Sequence, residues 1–351
     1  MPTVPAAQLE DFATDVLTAA GLERDEAATI AQCLVRANLC GVDSHGVLRL
    51  IQYSQCLADG DVNPHPHARV VVRSGCSALI DADGGYGYRP TLMASALAVE
   101  LATAHGMSVV GVRASHHFGM AATYAERIGQ ASLVGVVTTN TSPVMVAFGA
   151  SRSVMGNNPM AFAVPRRPPR PPLIADMALS QASFGKVRLA AAEGRSIPLG
   201  WAYDSQGRPT TDAAEAVRSH LLAPMGGHKG YALSLMVDVL AGILTGSPVG
   251  GSAHGHRHPA GGSGHFVLAI RPDLFVSRET FYDELEGRLQ EVAATPPAEG
   301  VSRVYLPGEI EATTRAVRQA EGVPVSEELA SQLGDLASRL GVASTPWDGA
   351  G

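Results

Sequence analysis

The segment GVDSHGVLRLIQY, residues 41–53, sets Asp43, Ser44, His45 and Arg49 into an otherwise apolar stretch. His45, Arg49 and Tyr53 are spaced four apart, so a helix through the segment would project all three from one face. An imidazole beside a guanidinium suits a small acid. Arginine holds a carboxylate through two parallel hydrogen bonds, and histidine trades a proton near neutral pH. A surface histidine beside an arginine that meets a backbone carbonyl fits the same spacing. Spacing alone does not separate these readings.

Five further clusters carry polar groups of chemical use. Ser115, His116 and His117 follow a strand-like run and precede a helix-like one. Such a junction gathers side chains and free backbone N–H groups at one place, although either histidine could equally cap or pack. Asn140, Thr141 and Ser142 open a long polar loop. Asp176 ends an apolar strand-like run and Lys186 follows it; the carboxylate is either a turn former or a partner for an imidazole. Gly226, Gly227 and Gly230 surround His228 and Lys229 at the mouth of a long apolar helix. Close backbone approach, a helix N-terminus and a lysine favour phosphate, against the plainer reading of a loop before a buried helix. His254, His256, His258 and His265 sit in a glycine-rich segment. Imidazoles bind zinc or nickel, but the segment offers no carboxylate or cysteine to close a site, so a loop without metal is expected.

These groups need elements to position them. The chain has 351 residues, 46% of them apolar and 17% charged, which is globular composition. The net charge of −7 gives no basic footprint for nucleic acid. No run of about eighteen apolar residues predicts a membrane span. The start carries no cationic region followed by an apolar stretch, and Cys33, Cys40, Cys56 and Cys76 form no C-x-x-C pair. A cytoplasmic protein with reduced packing thiols is expected. Periodicity predicts two helices over residues 8–40, then a turn-rich linker ADGDVNPHPH. Strands and helices then mix: strand-like ARVVVRSGCSALIDADGGYG, a helix in RPTLMASALAVELATAHG, strand MSVVGVRAS, helix GMAATYAERIGQ and strand SLVGVVTTN. MAFAVP and PLIADMA read as two short strands around RRPPRPP. HKGYALSLMVDVLAGILTG reads as one long helix, GHFVLAIRP as a late strand, and residues 278–296 and 325–340 as helices. The class is α/β or α+β. The G-x-G-x-x-G fingerprint, the P-loop, H-E-x-x-H and G-x-S-x-G are all missing, which leaves Rossmann, P-loop, zincin and α/β-hydrolase chemistry without their signatures.

GVDSHGVLRL, SHHFG, NTSP, GNNPMAFAVP, DMALSQASFGKV, GGHKGYALSLMVD and LPGEIE occur in this order between residues 41 and 311. Together they resemble the non-Rossmann malate/L-lactate dehydrogenase family, which is similar to ureidoglycolate dehydrogenase, sulfolactate dehydrogenase, 2,3-diketogulonate reductase and Δ1-piperideine-2-carboxylate reductase. The resemblance spans nearly the whole chain. It implies a mixed, mainly antiparallel sheet for the cofactor instead of a Rossmann sheet, with a helical domain from the N-terminal region and the chain end. The expected division is 1–72, 73–300 and 301–351. It also implies a homodimer, a nicotinamide cofactor (NAD or NADP, with NADPH preferred for an imine substrate) and a small carboxylate-bearing substrate.

Residue by residue, the resemblance makes His45 or His117 the acid/base, with His45 favoured because Arg49 lies beside it. Asp176 would orient an imidazole. Ser44, Arg49, Tyr53, Thr141 and Ser142 would meet substrate. Asp176, Met177, Ala178, Leu179, Ser180, Gln181, Ala182, Lys186, His228, Lys229, Pro307, Gly308 and Glu309 would meet the cofactor, and no metal is expected. Phe184 stands where an arginine is frequent in the family. The implied reaction is hydride transfer to and from a 2-oxo or 2-hydroxy acid. The alternatives are a 2-imino acid reductase of the same family and, more remotely, a metal-dependent lyase or hydrolase using the histidine-rich segment.

Overall fold

The computed structural model describes residues 3–252 and 261–347. Histidines 254, 256 and 258 lie outside the described residues. The first two helices, α1 (Ala6–Ala19) and α2 (Arg24–Leu39), form as the periodicity predicts. The third, α3 (Arg49–Ala58), begins later than a helix through residues 41–53 would require. Asp43–His45 is a single 3-10 turn, and Gly46 takes an extended conformation that ends it. His45, Arg49 and Tyr53 therefore do not share one helical face, and the four-residue spacing misleads here. The remaining described helices are α4 (Tyr88–His105), α5 (Ala122–Gln130), α6 (Phe184–Ala192), α7 (Ala213–Ser219), α8 (His228–Val237), α9 (Arg278–Ala293), α10 (Glu309–Glu321) and α11 (Glu327–Leu340).

The long helix expected after Gly227 is shorter than the sequence suggests. α8 passes into a π-turn at Asp238–Gly242 and a 3-10 turn at Ile243–Thr245. The buried Asp238 carboxylate accepts a hydrogen bond from the Asn158 side chain, which also donates to Ser234 O. A side chain that inserts among the turns in this way favours a local π geometry.

Seven strands make the central sheet: β1 (Arg69–Ser74), β2 (Ser77–Asp81), β3 (Met107–Ser115), β4 (Val134–Thr139), β5 (Met160–Val164), β6 (Leu173–Met177) and β7 (Ser263–Ile270). Their spatial order is β1-β2-β3-β7-β4-β5-β6. Only β2 and β3 pair in parallel; the other neighbours are antiparallel. The expected mixed, mainly antiparallel sheet is observed. α4 and α5 cover the sheet, and Val110, Val112, Val137 and Val267 meet Leu101, Tyr124 and Ile128 in its core. A separate core joins α1, α2 and α3 to α11, with Leu9, Leu34, Leu50, Tyr53 and Leu333 fully or nearly fully buried. Burial of such side chains supplies roughly 1.5–3 kcal/mol each before conformational costs. A third core under α6 and α7 holds Met145, Val187 and Leu222. No described helix is long and apolar enough to cross a membrane.

One knot fixes the turn that carries His45. The Asn38 side chain donates to Asp43 Oδ1 at 2.6 Å and accepts the Val47 N–H at 2.8 Å. It thus clamps both ends of the turn. Gly46 packs against that amide so closely that an added Cβ would lie 2.1 Å from Asn38 Oδ1. Arg318 on α10 closes the knot from outside, donating to Asp43 Oδ1 at 2.7 Å and to Asn38 O.

Candidate functional site

The knot presents His45 to the end of β3. The rings of His45 and His117 stack with centroids 5.6 Å apart and planes 21° apart. His45 Nδ1 lies 3.0 Å from Ser44 Oγ. Arg49 starts α3 and folds back on the turn, donating from Nε to Ser44 O at 2.8 Å and from Nη1 to Gln52 Oε1 at 2.8 Å. Those bonds aim the guanidinium and leave it beside the imidazole. No carboxylate pairs with Arg49 among the described residues. The structure thus joins Ser44, His45, Arg49 and His117 into one site.

Electrostatics decides the resting charge of that site. Loss of hydration, reinforced by the neighbouring Arg49 cation, lowers the His45 pKa to about 3. His45 is therefore neutral before a ligand arrives. Tyr53 is placed differently from the expectation. Its side chain is buried, and its hydroxyl meets His117 Nδ1 at 2.5 Å and Tyr88 Oη at 2.8 Å. It backs the site from inside the protein, one helical turn after Arg49. His116 is fully buried and His117 only partly, so of the two adjacent histidines it is His117 that keeps some exposure, beside His45.

A second wall adjoins the first. The start of α6 packs on the turn, with an added Cβ on Gly185 lying 3.2 Å from Ser44 Cβ. Ser183 caps that helix by accepting the Lys186 N–H. The strand β6 ends at Asp176–Met177, and the chain then runs through residues 178–182 beside the loop before α8. Leu179 O accepts the Met225 N–H at 2.8 Å, and Gln181 N donates to Ala223 O at 2.7 Å. Residues 176–182 and the His228–Lys229 helix start are thereby brought together. Gly308 packs directly on Ile174, which sets Pro307 and Glu309 against the same strand. Thr141 belongs to this wall through Asn157 and Asn158, which in turn hold Leu179 and α8. No hydrogen bond links Thr141 or Ser142 to His45 or Arg49 among the described residues.

The partner shown for Asp176 is the Ala122 N–H at 2.8 Å, at the start of α5, and not an imidazole. Its side chain reaches solvent, yet protein surrounds it closely enough that lost hydration pushes its carboxyl up to about 6. Phe184 meets the His220 ring with centroids 4.8 Å apart and planes tilted by 31°, and carries the Arg188 guanidinium over its ring at 4.7 Å. The cation of this stretch, Arg188, thus lies one turn after Phe184.

His265, read in the sequence both into the glycine-rich segment and into the late strand GHFVLAIRP, is a strand residue. It lies in β7, fully buried, with Nδ1 2.8 Å from Thr139 Oγ1 and Nε2 2.8 Å from Ser115 Oγ. It cross-links three strands directly behind His116 and His117, and its ring stacks on Phe118 at 4.7 Å. No cluster of metal-ligating residues occurs among the described residues.

Burial lowers the His265 pKa to about 3. An unfolded histidine takes up a proton near its ordinary value of 6.5, whereas the folded one does not. Stability from His265 is therefore present above 6.5 and lost as pH falls from there toward 3. Asp176, whose pKa is raised, works in the opposite direction between its ordinary value and about 6. The fall in urea midpoint between neutral and mildly acidic pH should be smaller in His265→Gln than in the parent. Equal falls in the two proteins would remove His265 as the source.

A sequence profile of the malate/L-lactate dehydrogenase family matches residues 4–334. A malate dehydrogenase of Pyrococcus abyssi is 32% identical over 346 residues, covering 97% of this chain and 95% of the relative. The solved sulfolactate dehydrogenase of Methanocaldococcus jannaschii superposes with a TM-score of 0.89 at 33% identity, covering 97% of this chain and 98% of its own. The solved Δ1-piperideine-2-carboxylate reductase of Pseudomonas syringae gives a TM-score of 0.86 at 30% identity, over 96% of this chain and 100% of its own. Together with paired imidazoles beside an arginine, these likenesses establish that the chain belongs to the malate/L-lactate dehydrogenase family and is an oxidoreductase.

Proposed function

We propose that the chain is a nicotinamide-dependent dehydrogenase that interconverts a small 2-hydroxy acid and its 2-oxo acid. The observation that carries the reading is the stacked His45–His117 pair beside Arg49. Arg49 supplies a fork for the substrate carboxylate and so orients the neighbouring carbon. The carboxylate also offsets the Arg49 charge that helps hold His45 neutral. Binding therefore raises the affinity of His45 for a proton at the moment the chemistry needs one. In the reducing direction His45 gives that proton to the nascent alkoxide; in the oxidising direction its neutral ring takes it back.

The second wall suits a dinucleotide. The α8 start presents free backbone N–H groups, Gly226 and Gly227 adopt left-handed φ, and Lys186 and Lys229 pair with no carboxylate among the described residues. Residues 176–182, Lys186, His228, Lys229 and 307–309 would hold the nicotinamide cofactor, which supplies or accepts the hydride. NAD and NADP both remain compatible with this wall. The similarity to the piperideine-carboxylate reductase makes a 2-imino acid the second substrate reading, since it too sets a carboxylate beside a polar double bond.

We also infer a homodimer. Leu233, Leu235, Met236, Val239, Leu240, Ile243 and Leu244 are 36–65% exposed along α8 and the turns that follow. A contiguous apolar face of that kind marks an interaction surface, and its self-association would place the dimer seam beside the second wall. Leu244→Glu should shift sedimentation from dimer to monomer; a monomeric parent protein would dispose of the proposal. A cytoplasmic location is proposed on the cysteine usage alone.

The functional reading is checked by nicotinamide absorbance with both cofactors against pyruvate, oxaloacetate, glyoxylate-type acids and piperideine-2-carboxylate. His45→Ala should lower kcat about 10²–10⁴-fold on the preferred acid with little change in cofactor affinity. Arg49→Lys should raise KM about 10-fold or more, because a point charge does not replace a fork. Undiminished turnover by His45→Ala would take His45 out of the reaction.

A further inference from the structure

His117 Nδ1 has two neighbours with hydrogens to give. The Tyr53 hydroxyl lies 2.5 Å away and the Gly119 backbone nitrogen 3.4 Å away. A backbone N–H only donates, so Nδ1 carries a lone pair there and the ring hydrogen sits on Nε2. One direction then sets the others. Tyr53 must donate its single hydrogen to Nδ1. Tyr88, whose hydroxyl is 2.8 Å from that of Tyr53, must donate to Tyr53. The order Tyr88, Tyr53, His117 runs one way only.

The arrangement is built to stay in that state. Tyr53 and Tyr88 are almost fully buried, and lost hydration raises both phenol pKa values well above the ordinary one. Neither gives up its proton to a neighbour readily. Gly119 must be glycine: its φ is +76°, and an added Cβ would lie 2.7 Å from Tyr88 Cε1 and 2.8 Å from its hydroxyl. The Nδ1 edge of His117 faces these buried tyrosines, while the ring as a whole is half-buried. Its Nε2 edge lies on the side of the ring away from these tyrosines. A positive charge on His117 would point an Nδ1 hydrogen at two donors and stack on a His45 that already has Arg49 beside it.

We propose that Tyr53, Tyr88 and the Gly119 amide lock His117 as the neutral Nε2–H tautomer, a fixed hydrogen-bond donor to the substrate oxygen, and that His45 alone carries the transferred proton. Two imidazoles of one site thus do different work. In reduction the carbonyl carbon accepts hydride from the reduced nicotinamide, and the C=O π electrons move to oxygen. That oxygen takes a proton from the His45 imidazolium, which returns to neutral. His117 donates a hydrogen bond to the same oxygen throughout and keeps its proton. Ser44 Oγ, beside His45 Nδ1, accepts when His45 is charged and donates or accepts when it is neutral. Tyr53 and Tyr88 act through His117 and are positioning residues. The role of the tautomer rests on the hydride-transfer reading above; the tautomer itself does not.

The test reads both parts separately. Protein labelled with ¹⁵N-histidine is measured by long-range ¹H–¹⁵N NMR at neutral pH, with His117 assigned by its loss in His117→Gln. A protonated Nε2 and an unprotonated Nδ1 are expected; a protonated Nδ1 or an imidazolium overturns the lock. In Tyr53→Phe, which keeps the ring and leaves the Gly119 N–H on Nδ1, the Nε2–H tautomer is expected to persist; an Nδ1–H tautomer there would show that the Gly119 amide does not fix it. Kinetics then reads the donor role. Glutamine carries an amide N–H where Nε2–H stood, so His117→Gln should keep kcat within about 10-fold, while His117→Ala loses about 10²–10³-fold, as for other donors to a developing oxyanion. His45→Gln should lose as much as His45→Ala, since an amide does not carry the proton. Equal loss in His117→Gln and His117→Ala overturns the donor role. A chain that turns over none of the acids with either cofactor fails the hydride-transfer reading, and the NMR result still decides the tautomer.

Discussion

The site depends on holding a short turn rigid without a helix. Asp43–His45 is one 3-10 turn with an extended glycine after it, and such a turn has little intrinsic stability. Asn38 supplies what is lacking. It satisfies a carboxylate on one side of the turn and a backbone amide on the other. Each such bond contributes only about 1 kcal/mol net, but leaving its buried partner unmet costs about 1–3 kcal/mol. The knot is thus more important for fixing His45 in place than for overall stability. Arg318 extends it to α10, so the chain end takes part in placing a residue near the chain start.

The second constraint is charge. Two imidazoles stack beside a guanidinium that meets no carboxylate among the described residues, which keeps this part of the site short of negative charge. In the proposed reaction an anionic substrate would compensate Arg49 and let His45 hold a proton, so that binding and protonation would be linked through one side chain. The sheet behind this region is pinned by His265 across three strands. A neutral buried imidazole with both nitrogens bonded makes a stiff cross-link, and it sits where stiffness reaches His117.

His45, Arg49 and His117 were legible because their polarity is out of place in apolar surroundings and their junctions are conspicuous. The mainly antiparallel sheet was legible through the family resemblance rather than through spacing. Other residues were hidden for physical reasons. Gly46 breaks the helix on which the four-residue spacing relied, because only the Asn38 side chain in space dictates the extended backbone there. Tyr53 looked like a substrate contact, yet burial against Tyr86 and Tyr88 turns it inward. His265 read both as the end of a glycine-rich loop and as the start of a late strand, and the pairing with Val112 and Thr139 that decides for the strand depends on strands far away in the chain. Arg318 meets Asp43 across 275 residues, a separation no local pattern signals. α6 and α10 escaped because Gly185 interrupts one and the other buries none of its residues.

In the proposed reaction the carbon next to a carboxylate, held against His45 and His117, exchanges hydride with a nicotinamide. Reduction of the preferred 2-oxo acid with nicotinamide cofactor deuterated on the transferring face of C4 tests it directly. Mass spectrometry and NMR of the isolated 2-hydroxy acid should show one deuterium, located on C2. Product formed with no deuterium at C2 would contradict the account.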